Sequence, residues 1–334
     1  MEDLPLLQLA SVTGVWGISF CAMLLPAVLA ALVVDAGGTA RRRALAAGAT
    51  AFFVAVAAFG VWRLQPETGP TIAVGLMASD LPENVDISDP GRDTQRKLNG
   101  YVAHAEGLVA GGAGIIILPE KLGVTVPATA VSDDAILQSF ADRNRVTVMA
   151  GLVRSAPPHL FNEARIYEPS LRSPLTYDKQ HMLPRFESQL TPGAGRLLLD
   201  HGHWGVAVCK DMDFPSLARR YGNDRVGLLL VSAWDFDDDD WLHARMAVMR
   251  GVESGFAVAR AAKEGLLSIS DDRGRILAHE SSKAAPYAVL LARAPLRHEA
   301  TIYDRFGDWF AFVCLAGLAV MLGSAVLLGQ RNRR

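Results

Sequence analysis

The sequence has almost no excess of charge: 33 lysines and arginines stand against 35 aspartates and glutamates, a formal net charge of -2. So even a balance supplies no electrostatic footprint for nucleic acid or another polyanion, and that class of partner is set aside. Cysteine is scarce as well, at three in the whole chain. Cys21 and Cys314 fall in long apolar runs, which leaves Cys209 alone in the polar part and excludes a disulfide framework there. A lone thiol of this kind is explained either by burial or by chemistry. Internal repeats and low-complexity stretches are also missing. So is any basic residue in the lead of residues 1–13, which argues against a cleaved export signal.

What is present is apolar and unevenly spread. Half of the 334 residues are hydrophobic, and three uncharged runs, 14–34, 44–62 and 309–329, hold much of the excess. Each approaches the roughly 20 residues that a helix needs to cross a bilayer, so all three are read as transmembrane helices. Arg41, Arg42 and Arg43 lie between the first two runs, and Arg331, Arg333 and Arg334 follow the third. Both clusters are expected on the cytoplasmic side, which puts residues 63–308 outside. Met1 then also lies outside, an awkward start for an uncharged lead, and this suggests further helices upstream or in a partner.

Between the second and third runs, residues 71–293 are expected to form a single α/β domain. Apolar runs at 71–77, 114–118, 145–153, 204–209, 226–232, 256–261 and 266–270 read as strands buried on both faces. Helical spacing over 92–109 puts Leu98, Val102, Ala105 and Val109 on a core-directed face, and a helix over 240–253 is expected to bury Leu242, Met246 and Met249. Asp271 to Gly274 signals a closing hairpin.

Three positions carry candidate chemistry. Glu120 follows an apolar strand, where a carboxylate can act as a base. Lys179 sits in the polar segment Tyr177 to Pro184, where a fixed cation can stabilise an oxyanion. In the same segment His181 reads as a hydrogen-bonding group rather than a catalytic acid. Cys209 ends a strand and precedes a turn, the setting of a nucleophile whose thiolate is promoted by a nearby cation.

The strings "LPE", "YDKQHMLP" and "VAVCKDMDFP" resemble the three signature blocks of the nitrilase superfamily, which uses Glu, Lys and Cys in this order. Beyond them, "LLQLASVTGVWGISF" and "TIYDRFGDWFA" resemble the passages into and out of the domain in bacterial apolipoprotein N-acyltransferases, so the likeness covers nearly the whole chain. The resemblance implies a nitrilase-like αββα sandwich carried on membrane helices, with Glu120 as base, Lys179 as oxyanion stabiliser and Cys209 as nucleophile. It further implies Glu187, Asp211 and Lys210 as supporting groups, and Trp234 and His181 at the substrate. Departures occur at Lys210 and Asp211, where the family has Tyr and Glu, and at Arg185 and Phe186, where it has Phe and Gly. The family also begins with more membrane helices.

The function implied is transfer of a fatty acyl chain from a phospholipid, through a Cys209 thioester, to the N-terminal amine of a lipoprotein. The setting implied is the bacterial inner membrane, with the domain on its periplasmic side. Two alternatives stay open: a membrane-tethered amidase or nitrilase, and a non-catalytic or split-enzyme component needing a partner for the missing helices. No cofactor and no metal are expected. The acidic run at Asp235 and Asp237 to Asp240 is read as a solvated loop, and His201 with His203, taken to share one side of a strand, lack a third ligand.

Overall fold

A computed structural model describes residues 3–34, 38–66, 68–85, 92–236 and 240–331. The chain divides into two compact units, one of residues 1–66 with 301–334 and the other of residues 67–300.

Among the described residues, the first unit contains three helices long and apolar enough to cross a membrane: Val15–Val34, Gly38–Arg63 and Trp309–Leu328. They coincide closely with the apolar runs in the sequence. Short helices at Leu4–Leu7 and Ala10–Thr13 lead into the first. Tyr303 packs so closely on Gly14 that a Cβ there would stand 2.4 Å from its ring, and Trp309 Nε1 donates to Val12 O at 2.8 Å. These contacts tie the two ends of this unit together.

Among its described residues the second unit holds thirteen strands: β1 (Thr71–Ala78), β2 (Ile115–Ile117), β3 (Val124–Thr125), β4 (Thr147–Ala156), β5 (His159–Tyr167), β6 (Leu175–Asp178), β7 (Leu198–Leu199), β8 (Trp204–Val208), β9 (Leu228–Trp234), β10 (Ala257–Lys263), β11 (Leu266–Ser270), β12 (Ile276–Ser281) and β13 (Ala288–Pro295). One sheet runs β13-β1-β2-β4-β5-β6 with β3 on β4, and the other runs β12-β11-β10-β9-β8-β7. Both are parallel at the centre, through β1, β2 and β4 in one and β8, β9 and β10 in the other. Antiparallel strands flank them.

The inner faces meet in a dry core that includes Val74, Ile115, Ile117, Val206, Leu230 and Ala259. The outer face of the first sheet is covered by helices Arg92–Ala110 and Ala130–Asn144 through Leu98, Leu137 and Phe140. That of the second is covered by Pro215–Asn223 and Asp240–Ser254 through Leu217, Ala247 and Tyr221. Each fully buried aliphatic side chain contributes about 1.5–3 kcal/mol through the hydrophobic effect. This is the expected αββα sandwich.

Two readings are corrected. On helix Asp240–Ser254 the buried face is Ala244, Ala247, Val248 and Val252, whereas Leu242 is 53% exposed and Met246 and Met249 are half-buried. Small residues let the helix lie close against the sheet, so the bulkier stripe is turned outward. His201 and His203 do not share a strand: residues 200–202 form a tight turn in which His201 has φ 55°, ahead of β8. Strands β5 and β6 were not read from sequence, because buried Asn162, Glu163 and Arg165 interrupt the apolar pattern.

Candidate active site

Parallel strands leave their carboxyl ends along one edge of each sheet, and the candidate residues gather there. After β2, Leu118 and Pro119 bring the chain to Glu120, whose N–H donates to Ala233 O of β9 at 3.2 Å. A Cβ at Gly151 would stand 2.4 Å from Glu120 Cα, so glycine is what permits β4 to approach the strand end this closely.

The Glu120 carboxylate is buried. Lys179 Nζ donates to its Oε1 at 2.9 Å and Asn162 Nδ2 to the same oxygen at 2.5 Å. The same two donors reach Glu187, Lys179 Nζ at 2.8 Å from Oε2 and Asn162 Nδ2 at 2.9 Å from Oε1, and Leu183 N donates to Oε2 at 2.8 Å. Lys121 also pairs with Glu187 and lies 3.9 Å from Glu120. Two carboxylates are thus balanced by two ammonium groups. Burial alone raises the Glu120 pKa, but the charges of Lys179 and Lys121, with the hydrogen bonds from Lys179 and Asn162, outweigh it and hold the group at about 2. Burial lowers Lys179, yet Glu120, Cys209 and Glu187 together raise it above its ordinary value.

Cys209 follows β8 at the start of a tight helical turn, Cys209–Asp213, with φ 44°. A non-glycine residue in the left-handed region stores strain, of order 1–3 kcal/mol, and persists where its surroundings over-determine it. Asp211 provides that constraint. Its Oδ2 accepts from Val208 N at 3.2 Å and Tyr177 Oη at 2.8 Å, while Oδ1 accepts from Gln180 N at 3.2 Å and His181 N at 3.0 Å and meets His181 Nδ1 at 2.9 Å. One carboxylate therefore clips the Lys179 segment to the cysteine's turn. Cys209 Sγ donates to Trp234 O at 3.4 Å. Burial, with the Glu120 charge, pushes the thiol up to about 12 in spite of Lys179.

Glu120, Lys179 and Cys209 line a single cavity of about 260 Å³, together with Glu187, Lys121 and Lys210. Its remaining wall includes Leu183, Phe186, Trp234 and Phe236. The Lys210 side chain reaches Asp213 at 2.7 Å. His181 is not among the lining residues: its ring stacks on Phe214 at 3.7 Å and is held by Asp211, in keeping with its reading as a hydrogen-bonding group. Asp235 is corrected, since it is buried and paired with Arg260, whose Nη1 lies 2.8 Å from Oδ2. Asp237, Asp238 and Asp239 lie outside the described residues. Asn162 and Lys121 were not singled out from sequence. Only Lys121 carried a usable signal there, as the neighbour of Glu120.

Residues 90–306 match the carbon-nitrogen hydrolase family. Apolipoprotein N-acyltransferases from Geobacter metallireducens and Rhodopseudomonas palustris are 28% and 26% identical over 97% and 99% of this chain, which spans 68% of each relative. One from Synechocystis is 27% identical over 75% of this chain and 52% of its own length. Among solved structures, a carbon-nitrogen hydrolase from Helicobacter pylori superposes with a TM-score of 0.56 at 16% identity, over 68% of this chain and 89% of that one. An amidase from Nesterenkonia does so with a TM-score of 0.56 at 19% identity, over 70% and 94%. With two such sheets, their covering helices and a match over most of its length, the chain belongs to the carbon-nitrogen hydrolase family.

Proposed function

We propose that this protein is an N-acyltransferase that moves a fatty acyl chain from a phospholipid to the terminal amine of a lipoprotein by way of a thioester on Cys209. The observation that carries the reading is the buried Glu120–Lys179 pair in the same cavity as a cysteine held at positive φ.

Burial holds the Cys209 thiol above its ordinary value, so it is not a preformed thiolate, and its proton passes to Glu120, in the same cavity, as sulfur attacks the ester carbon. Lys179 and the Lys210 backbone N–H stabilise the tetrahedral oxyanion. As the intermediate collapses, the carbon–oxygen bond breaks and the lysophospholipid leaves with the proton from Glu120. The lipoprotein amine then attacks the thioester, Glu120 takes its proton, and as the carbon–sulfur bond breaks Glu120 returns that proton to the departing cysteine sulfur. Glu187 and Asp211 hold Lys179 and the cysteine's turn in place.

A cavity of about 260 Å³ is smaller than the roughly 300–1,000 Å³ that encloses a drug-sized ligand. The acyl chain would therefore extend beyond it, over Phe186 and Phe236, which are 66% and 44% exposed. Three apolar helices and the arginine clusters around them support residence in the inner membrane, with the catalytic unit on the periplasmic side. The names of the relatives support the choice of acceptor.

Incubated with phospholipid alone, the protein is expected to gain one acyl mass on Cys209, and Cys209→Ala none. A diacylated lipopeptide with a free α-amine should then discharge the thioester faster than water. Release of free fatty acid at a rate the lipopeptide does not change would make the enzyme a hydrolase instead.

A further inference from the structure

Among the described residues, Lys263 is a buried lysine outside the Glu120–Lys179 network and without an ion-pair partner. It ends β10, in register with Trp234 at the end of β9, and its side chain has no solvent exposure. Its Nζ donates to Lys121 O at 3.1 Å and to Asn84 O at 3.5 Å, and it lies 3.7 Å from the centroid of the Trp234 ring. An apolar side chain would fill such a strand end more cheaply, because a desolvated ammonium without a carboxylate is costly. The groups around Nζ are those that prefer a cation: two carbonyl oxygens and an aromatic face.

Two of these three attachments lead to the cavity. Lys121 adjoins Glu120, and Trp234 forms part of the wall while its carbonyl receives the Cys209 thiol. The indole Nε1 is fixed separately by Glu264 Oε2 at 2.7 Å, so the ring is pinned at its edge and held at its face.

We propose that Lys263 is a positioning residue: as a buried cation it holds the Trp234 indole and the Lys121 carbonyl, and thereby fixes the part of the cavity wall on which Cys209 rests. This rests on the reading of Cys209 as the nucleophile and adds a group that never touches substrate. Burial lowers the Lys263 pKa to about 7; Glu120 and Glu264 act to raise it, while Lys97 on helix Arg92–Ala110 and Lys121 add to the lowering. Asp235, whose N–H donates to Lys263 O at 3.0 Å, has its carboxylate taken by Arg260. The cation is therefore present below neutrality and lost above it.

Alkylation of Cys209 by iodoacetamide tests this without any substrate, read by mass spectrometry of the Cys209 peptide from the full chain in detergent between pH 6 and 9. The rate for wild type divided by that for Lys263→Arg, whose charge does not titrate in this range, should rise about threefold through a step near pH 7 as the released wall exposes the thiol, the scale of a weak cation–π contact. Lys263→Met should show no step and should follow the high-pH limb of the wild type. A step that survives in either variant, or three superimposable profiles, would overturn the proposal. Normal alkylation without acylation by phospholipid would instead sink the proposed donor and leave the role of Lys263 standing.

Discussion

The two sides of the cavity are built on opposite principles. On one, Glu120, Lys179, Glu187, Lys121 and Asn162 exchange polar contacts, all of them buried except Lys121, whose side chain is 14% exposed. On the other, the thiol makes one long contact to a carbonyl, and the wall ends in aromatic rings that reach solvent. A saturated charge network has one low-energy arrangement, because moving any member strands another. An exposed aromatic rim imposes no such demand. The first side is suited to fixing the chemistry, and the second can change its substrate without disturbing it.

The sharpest way to break that contrast is Lys179→Ala. Loss of the main oxyanion donor should slow acylation of Cys209 by roughly 100- to 1,000-fold, and the stranded carboxylates should destabilise the fold by about 3–5 kcal/mol, seen as a lower Tm. Asp211→Ala releases the clip without removing a reacting group. It should slow acylation by about 100-fold through misplacement, less than the complete loss expected of Cys209→Ala, with the single-turnover rate as the measurement. Equal losses would mean that Asp211 takes part in the chemistry. Phe186→Ser and Phe236→Ser probe the open side: stability should change by within about 0.5 kcal/mol and kcat little, while KM rises more for long acyl chains than for short ones.

The smallest effect on turnover is expected of Lys263→Met, and its sign on stability is opposite to the others. Folding holds this lysine at about 7 against an ordinary value of 10.5, so the folded state binds fewer protons between those limits. The cost of burying the charge is complete below about pH 7 and relieved as pH rises toward 10.5. The variant should therefore be more stable than wild type at pH 6, by roughly 1 kcal/mol in denaturant titration, with the gap closing in alkali. A gap independent of pH would show that packing, not charge, is responsible.

Much of this was legible because buried parallel strands are written as continuous apolar runs, and the acid and the thiol each follow one, whereas the lysine follows the antiparallel β6 and stood out by its polar segment. What stayed hidden was written against that pattern. Asn162, Glu163 and Arg165 lie inside β5 and are buried, Glu163 and Arg165 paired with each other at 2.5 Å between Arg165 Nε and Glu163 Oε1, so the strand looks polar along the chain. Asn162 bridges two carboxylates that lie 42 and 25 positions away, a role no local spacing reveals. Asp235 reads as one of a run of surface acids until Arg260 appears beside it in the adjacent strand.

The Asp211 clip also bears on how the chain folds. Its partners on the Lys179 segment come from about 30 residues upstream and the other sheet, and the Glu120–Lys179 contact spans 59 positions, so the first cannot form before the two sheets have met nor the second before β2 and β6 have joined one sheet. Contacts this far apart in sequence form slowly because loop closure must precede them. The cysteine's strained backbone is therefore expected to be adopted late, after its sheet is paired. During refolding Cys209 should pass from an ordinary, freely alkylated thiol to a slow one in the final phase, and that loss of reactivity would time the completion of the site.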